Sequence, residues 1–178
     1  MVGLGLGSSF VTGQSLNTQI WRSAGELGFI IHDGEPLGRI LSASGLRDFL
    51  GLSEAQGQYE PLIEQAFAQG DPRLNAWLYQ SAGLLRMVIN FLENAMRPDG
   101  IRLGGFLPRP VLEALAAQTL PLDVSVVDPE HASDRLMPRF SLAERSADFI
   151  PLGAGAMTLS SHANPAFSEL VGALRSRS

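Results

Sequence analysis

Short apolar runs open this chain, and stretches with helical spacing follow. Glycine alternates with apolar residues in Val2-Gly3-Leu4-Gly5-Leu6-Gly7. Ser8, Ser9 and then Phe10-Val11-Thr12-Gly13 follow, a pattern that predicts a strand, a tight turn and a second strand. Gly28-Phe29-Ile30-Ile31-His32 is an apolar run closed by the turn pair Asp33-Gly34, and it predicts a buried strand. Residues 35–38 read as a loop and residues 40–50 as a short helix. Ser53 has the position of an N-cap for a helix over 54–68, which Pro61 would kink. Asp71-Pro72 opens a long second helix, because proline is accommodated at the first helical position. Trp77, Leu84, Leu85, Val88, Ile89, Phe91 and Leu92 carry that helix to about Met96. Its apolar positions cover more than one face, which predicts a largely buried helix.

Pro98-Asp99-Gly100 ends the helix, and Ile101-Arg102-Leu103 predicts a short strand before Gly104-Gly105. A helix over 108–118, a strand-like run over 122–127 and a strand over 139–142 come next. Residues 152–160 and 165–175 read as two further helices. Strands first, then helices alternating with strands, is the order of an α/β domain with a mixed sheet and flanking helices. The whole chain, 1–178, reads as one domain.

Composition supports a packed core: 45% of the 178 residues are hydrophobic and 17% are charged. The net charge is −5, and all 13 basic residues are arginines with no cluster among them. A nucleic-acid-binding domain carries a basic face, so direct DNA binding is not expected of this chain. There is no cysteine, which excludes a disulfide framework and a thiolate zinc site. No apolar stretch is long enough to cross a membrane, and Met1 to Gly7 lacks the features of a signal peptide. A cytoplasmic location is the expectation.

Several segments, taken in order, carry a resemblance. They are Gly3-Leu4-Gly5-Leu6-Gly7, Ser23-Ala24-Gly25-Glu26-Leu27-Gly28, Ala43-Ser44-Gly45 and Gly70-Asp71-Pro72. Arg97-Pro98-Asp99-Gly100-Ile101-Arg102-Leu103-Gly104-Gly105 and Leu152-Gly153-Ala154-Gly155-Ala156 complete the series. Together they resemble the C-terminal lobe of the ROK family, which comprises sugar kinases and sugar-responsive transcriptional repressors. In that family they correspond to the phosphate-side hairpin, the Ala-Gly-Glu-Ile-Gly-His segment, the Ala-Ser-Gly after the zinc loop and the Gly-Asp opening the long helix. The last two correspond to the Leu-Gly-Gly strand and turn and to the C-terminal Leu-Gly-Ala-Ala. The fold this implies is one lobe of the actin-like ATPase fold, related to ribonuclease H. The other lobe, with its catalytic Asp, and the winged helix of repressor members have no counterpart after Met1.

The chain departs from the family where metal and phosphate would bind. Phe29 stands where the family has His, and the zinc loop between Phe29 and Ala43 is shortened. With Ala43-Ser44-Gly45 as the anchor, the loop's closing Glu falls at Ile40. A rival register lays Gly45-Leu46-Arg47-Asp48 on the family's Gly-Cys-x-Glu and keeps a carboxylate at Asp48. Every zinc ligand is lost in either register, so no metal is expected. In the hairpin, Leu4 replaces the family's Thr, and Ser8 and Ser9 replace glycines, which would hold backbone amides further from a phosphate.

The resemblance implies that Glu26 contacts sugar hydroxyls, because a carboxylate accepts several charge-assisted hydrogen bonds. Beside it stands the plain reading of a surface Glu in a glycine turn. Phe29 would stack under an apolar sugar face. Asp48 is either a further sugar contact or a helix-surface acid, and His32 either a displaced ligand contact or a turn residue. Gly5, Gly7, Gly104 and Gly105 would be vestiges of the nucleotide site, or glycines that only let strands turn. His131 and His162 have no metal-like spacing. No residue is assigned a catalytic role, and no cofactor is expected.

Function then follows as an expectation: a catalytically inactive, sugar-sensing (effector-binding) domain of a ROK-type transcriptional regulator. Its partners would be a sugar or sugar phosphate, a second copy of the chain through Trp77, Leu78, Leu84, Met87 and Phe91, and DNA only through a separate N-terminal domain. The alternatives are a sugar kinase shorn of its first lobe and a dimerisation module that binds no sugar.

Overall fold

The computed structural model describes residues 6, 8, 11–12, 15–16, 26–52, 59–127 and 138–143. The expected N-cap at Ser53, the residues Gly5, Gly7, His131 and His162, and the helices over 152–160 and 165–175 lie outside them. The described elements are helices with small sheets, an α/β composition. They are two antiparallel strand pairs, β1 (Val11–Thr12) with β2 (Ser15–Leu16) and β3 (Ile31–His32) with β4 (Glu35–Pro36), and one parallel pair, β5 (Ile101–Leu103) with β6 (Phe140–Leu142). Among the described residues these pairs remain separate and do not merge into one mixed sheet. The helices are α1 (Leu37–Ile40), α2 (Ala43–Leu50), α3 (Glu60–Ala68), α4 (Pro72–Met96) and α5 (Arg109–Thr119).

Helix α4 organises the core. Asp71 caps it by accepting from the Arg73 backbone N–H at 2.8 Å, and Pro72 takes the first helical turn, where no amide is needed. The Arg73 guanidinium reaches back to Asp71 and also donates to the Leu50 carbonyl oxygen at 2.8 Å, tying the start of α4 to the end of α2. After 25 residues the helix stops at Arg97, which adopts a left-handed conformation one residue before Pro98. The inward stripe carries Leu74, Trp77, Leu78, Leu85, Val88, Ile89 and Leu92, packed with Val111, Leu112 and Leu115 of α5. Trp77 satisfies its indole N–H on the Ile40 carbonyl oxygen at 3.1 Å. The helix is buried on one wide face only. Of the five residues expected to face a partner, Trp77, Leu78 and Leu84 are inside the chain's own core, and Met87 and Phe91 remain exposed.

Helix α2 starts at Ser42, whose side chain accepts from the Gly45 N–H at 2.9 Å, and ends at Gly51 with φ 70°. Gly45 cannot be larger: a Cβ there would collide with the Arg39 carbonyl oxygen and come within 2.8 Å of that of Ile40. The Ala-Ser-Gly motif is therefore the seam where α2 packs against the end of α1.

Three expectations fail in this region. Residues 28–32 are no buried strand: Leu27–Phe29 is a turn of 3-10 helix, and Phe29 and Ile31 are 76% and 61% exposed. Residues 35–38 are no loop, because Glu35 and Pro36 complete a hairpin whose turn residues Asp33 and Gly34 both have positive φ, and α1 begins at Leu37. Pro61 does not kink a helix; it sits in the first turn of α3.

Strands β5 and β6 pair in parallel, with α5 between them in sequence, and the register joins Ile101 to Phe140 and Leu103 to Leu142. Arg102 and Arg109 add bonds to Ser141 and to the Ala143 carbonyl oxygen. Residues 122–127 do not form the expected strand. Side chains of α4 hold them instead.

Candidate functional site

Glu26 stands immediately before the 3-10 turn. Its carbonyl oxygen accepts from the Phe29 N–H at 3.1 Å, closing the turn, and its exposed carboxylate makes no hydrogen bond or ion pair among the described residues. Gly28 fixes the turn from behind. A Cβ there would lie 2.7 Å from the Leu6 carbonyl oxygen, and the Gly28 backbone also packs against Gly38 of α1. The Ile30 carbonyl oxygen accepts from the Leu37 N–H at 2.8 Å. Leu6 of the glycine-rich opening and Gly28 of the turn, 22 residues apart, thus meet backbone to backbone. Only glycine permits that approach.

Phe29 leaves the same turn as an exposed ring. Asp48 belongs elsewhere: it is exposed on α2 and is held by Arg47 through bonds of 2.7 and 3.0 Å. No hydrogen bond or ion pair among the described residues links it to Glu26. Gly104 and Gly105 are buried between β5 and α5. His32 lies on β3, 3.5 Å from the Asp33 carboxylate, and borders a cleft of about 290 Å³ with Tyr79, Gln80, Gly83, Arg86 and Met87. Among the described residues, no group of three or more His, Asp or Glu side chains is placed to hold a metal ion. No helix among them is long and apolar enough to cross a membrane.

The most elaborate polar cluster was not expected. Glu93, 1% exposed on α4, receives Arg139 Nε at 2.8 Å and Nη2 at 2.6 Å, and the Ser125 hydroxyl at 2.6 Å. Arg139 also donates to the Asp123 carbonyl oxygen at 3.0 Å. The hydrogen-bonded Glu93 carboxylate holds the Arg139 pKa above its ordinary value. One turn before Glu93, Asn90 donates to the Val124 carbonyl oxygen at 2.8 Å, and Asn94, the next residue, accepts from the Val126 N–H at 3.1 Å. These contacts bind residues 123–126 and the start of β6 to α4. Every partner is part of the chain, so the cluster is a structural joint. The signal lay in the helical phase: Glu93 follows Leu85 and Ile89 at intervals of four, on the buried stripe.

No protein-family model matches the chain, and no curated protein matches its sequence.

Proposed function

We propose that this chain is the sugar-sensing, effector-binding lobe of a ROK-type regulator and transfers no phosphate. The observation that carries the reading is the turn at Glu26. The Glu26 carboxylate is exposed and unengaged among the described residues, while the turn it opens is clamped at Gly28 between Leu6 and α1. A rigid mount with a free acceptor is what recognition of adjacent hydroxyls requires, because an ordered group loses little freedom on binding. Phe29, exposed on the same turn, offers a flat apolar surface to the C–H face of a sugar ring. The ordered resemblance from Gly3 to Ala156 supplies the ligand class, a sugar or sugar phosphate. Asp48 is committed to Arg47 and contributes little. The absence of cysteine and Phe29 in place of the family's His support a lobe without the family's zinc.

A panel of hexoses, amino sugars and their phosphates, with and without ATP, tests this by thermal unfolding and a coupled phosphorylation assay. A ligand at a hundred times its Kd adds about 2.7 kcal/mol to stability. One sugar class should raise the melting temperature independently of ATP, with no turnover. ATP-dependent sugar phosphorylation would favour the kinase alternative, and no shift with any sugar would remove the proposal.

A further inference from the structure

His32 of β3 and one side of α4 border the cleft of about 290 Å³. Neither Glu26 nor Phe29 lines it. Its volume is at the lower end for ligand sites, about 300–1,000 Å³, so it suits a small molecule. Tyr79, Gly83 and Met87 follow one another on α4 at intervals of four, and Gln80 and Leu84 form the neighbouring row. Tyr79, Leu84 and Met87 give the cleft apolar walls. Gly83 keeps the space between them open.

The polar groups of the cleft are of one kind. Arg86 is half-buried, and its Nη1 donates to the Gln118 carbonyl oxygen at 3.0 Å, which fixes the guanidinium on the wall. Arg39, Arg47, Arg73, Arg109 and Arg139 each meet a carboxylate of this chain. Arg86 meets only that carbonyl among the described residues, and its Nε–H and Nη2–H are left over. Those two groups form one edge of the planar fork, and that edge matches the two oxygens of a carboxylate. The His32 imidazole and the Gln80 amide add donors from the other sides. The acid of α4, Glu93, is buried and paired elsewhere. Asp33, 3.5 Å from His32, is 92% exposed, so solvent screens its repulsion of an anion. A free phosphate would set unpaired oxygens against Tyr79, Leu84 and Met87, at a desolvation cost. We infer that this cleft is a second ligand site, for a small carboxylate with an apolar or aromatic body. The carboxylate sits on the Arg86 fork and the body lies over Gly83, between Tyr79 and Met87.

Titration of the ¹⁵N-labelled full chain with benzoate, followed by NMR, reads the site through the Gly83 amide and the Arg86 Nε–H. Both signals should shift and saturate together. Benzyl alcohol, which keeps the ring and loses the charge, should bind about tenfold or more weakly, and benzylammonium more weakly still. Arg86→Gln should weaken benzoate about tenfold or more and leave benzyl alcohol unchanged. A Cβ at Gly83 would meet nothing within 4 Å among the described residues, so Gly83→Leu should fold with an unchanged unfolding midpoint. Its side chain fills the cleft, and the benzoate response of the Arg86 Nε–H should vanish. No saturable shift with benzoate would overturn the inference. So would equal affinity for benzyl alcohol or benzylammonium, or benzoate binding that survives Gly83→Leu. Inorganic phosphate that shifts the same signals at lower concentration than benzoate would replace the carboxylate reading with a plain anion site.

Discussion

Glu26 and Glu93 are the same residue type in two regions built in opposite ways. Around Glu93 the side chains do the binding: a buried carboxylate takes three short bonds from Arg139 and Ser125, and two asparagines extend the joint along α4. Around Glu26 the backbone does it: Gly28 and Gly38 let main chain meet main chain, and among the described residues the carboxylate is left without a bond. A carboxylate whose bonding capacity is filled by its own chain serves the fold. One that is mounted firmly and left open has capacity for something else. The contrast separates structural acids from candidate ligand contacts without appeal to any relative, and Asp48, held by its neighbour Arg47, falls between them.

Arg139→Ala would take the guanidinium from a Glu93 carboxylate that is 1% exposed, and breaking a buried pair by removing one partner costs about 3–5 kcal/mol. Urea unfolding should show a large drop in midpoint; an unchanged midpoint would mean that the joint does not hold the fold.

Asp71 is a third case, a half-buried acid at the head of α4 with a partner. Hydrogen bonds from the Arg73 side chain and backbone hold its carboxyl below the ordinary value of 3.8. Because the folded pKa is depressed, its contribution is complete above pH 3.8 and is lost as the pH falls through the folded value. Asp71→Asn should therefore be less stable than wild type at neutral pH, and the gap in unfolding midpoint should narrow below pH 3.8. A gap that widens in acid would contradict this cause.

The smallest effect on stability belongs to Glu26. With no bond to lose among the described residues, Glu26→Gln should stay within about 0.5 kcal/mol of wild type in the same unfolding experiment.

Much of the helical framework was legible in the chain. Asp71-Pro72 marks the start of α4, Pro98-Asp99-Gly100 its end, and α5, β5 and β6 fall where spacing puts them. What escaped were short elements decided by tertiary contact. Pro36 reads as a breaker, yet it fits a two-stranded hairpin whose outer edge needs no donor. Ile30 and Ile31 look like core, but only Ile30 packs inward. Val124 and Val126 alternate as a strand would, and asparagines on α4 take the backbone bonds that a neighbouring strand would have made. Of the site, Glu26 and Phe29 were visible through a resemblance in order and spacing. That Leu6 backs their turn was not, because the approach depends on main chain and leaves no mark in side-chain pattern.

The most direct test of the central claim is titration calorimetry of wild type and Glu26→Gln with the sugar that stabilises the protein in the thermal panel. Removing the charged acceptor of a buried ligand hydrogen bond costs roughly 1.5–3 kcal/mol, about ten- to a hundredfold in affinity. The account predicts a loss of that size with unfolding unchanged. Equal affinity for the two proteins would contradict it.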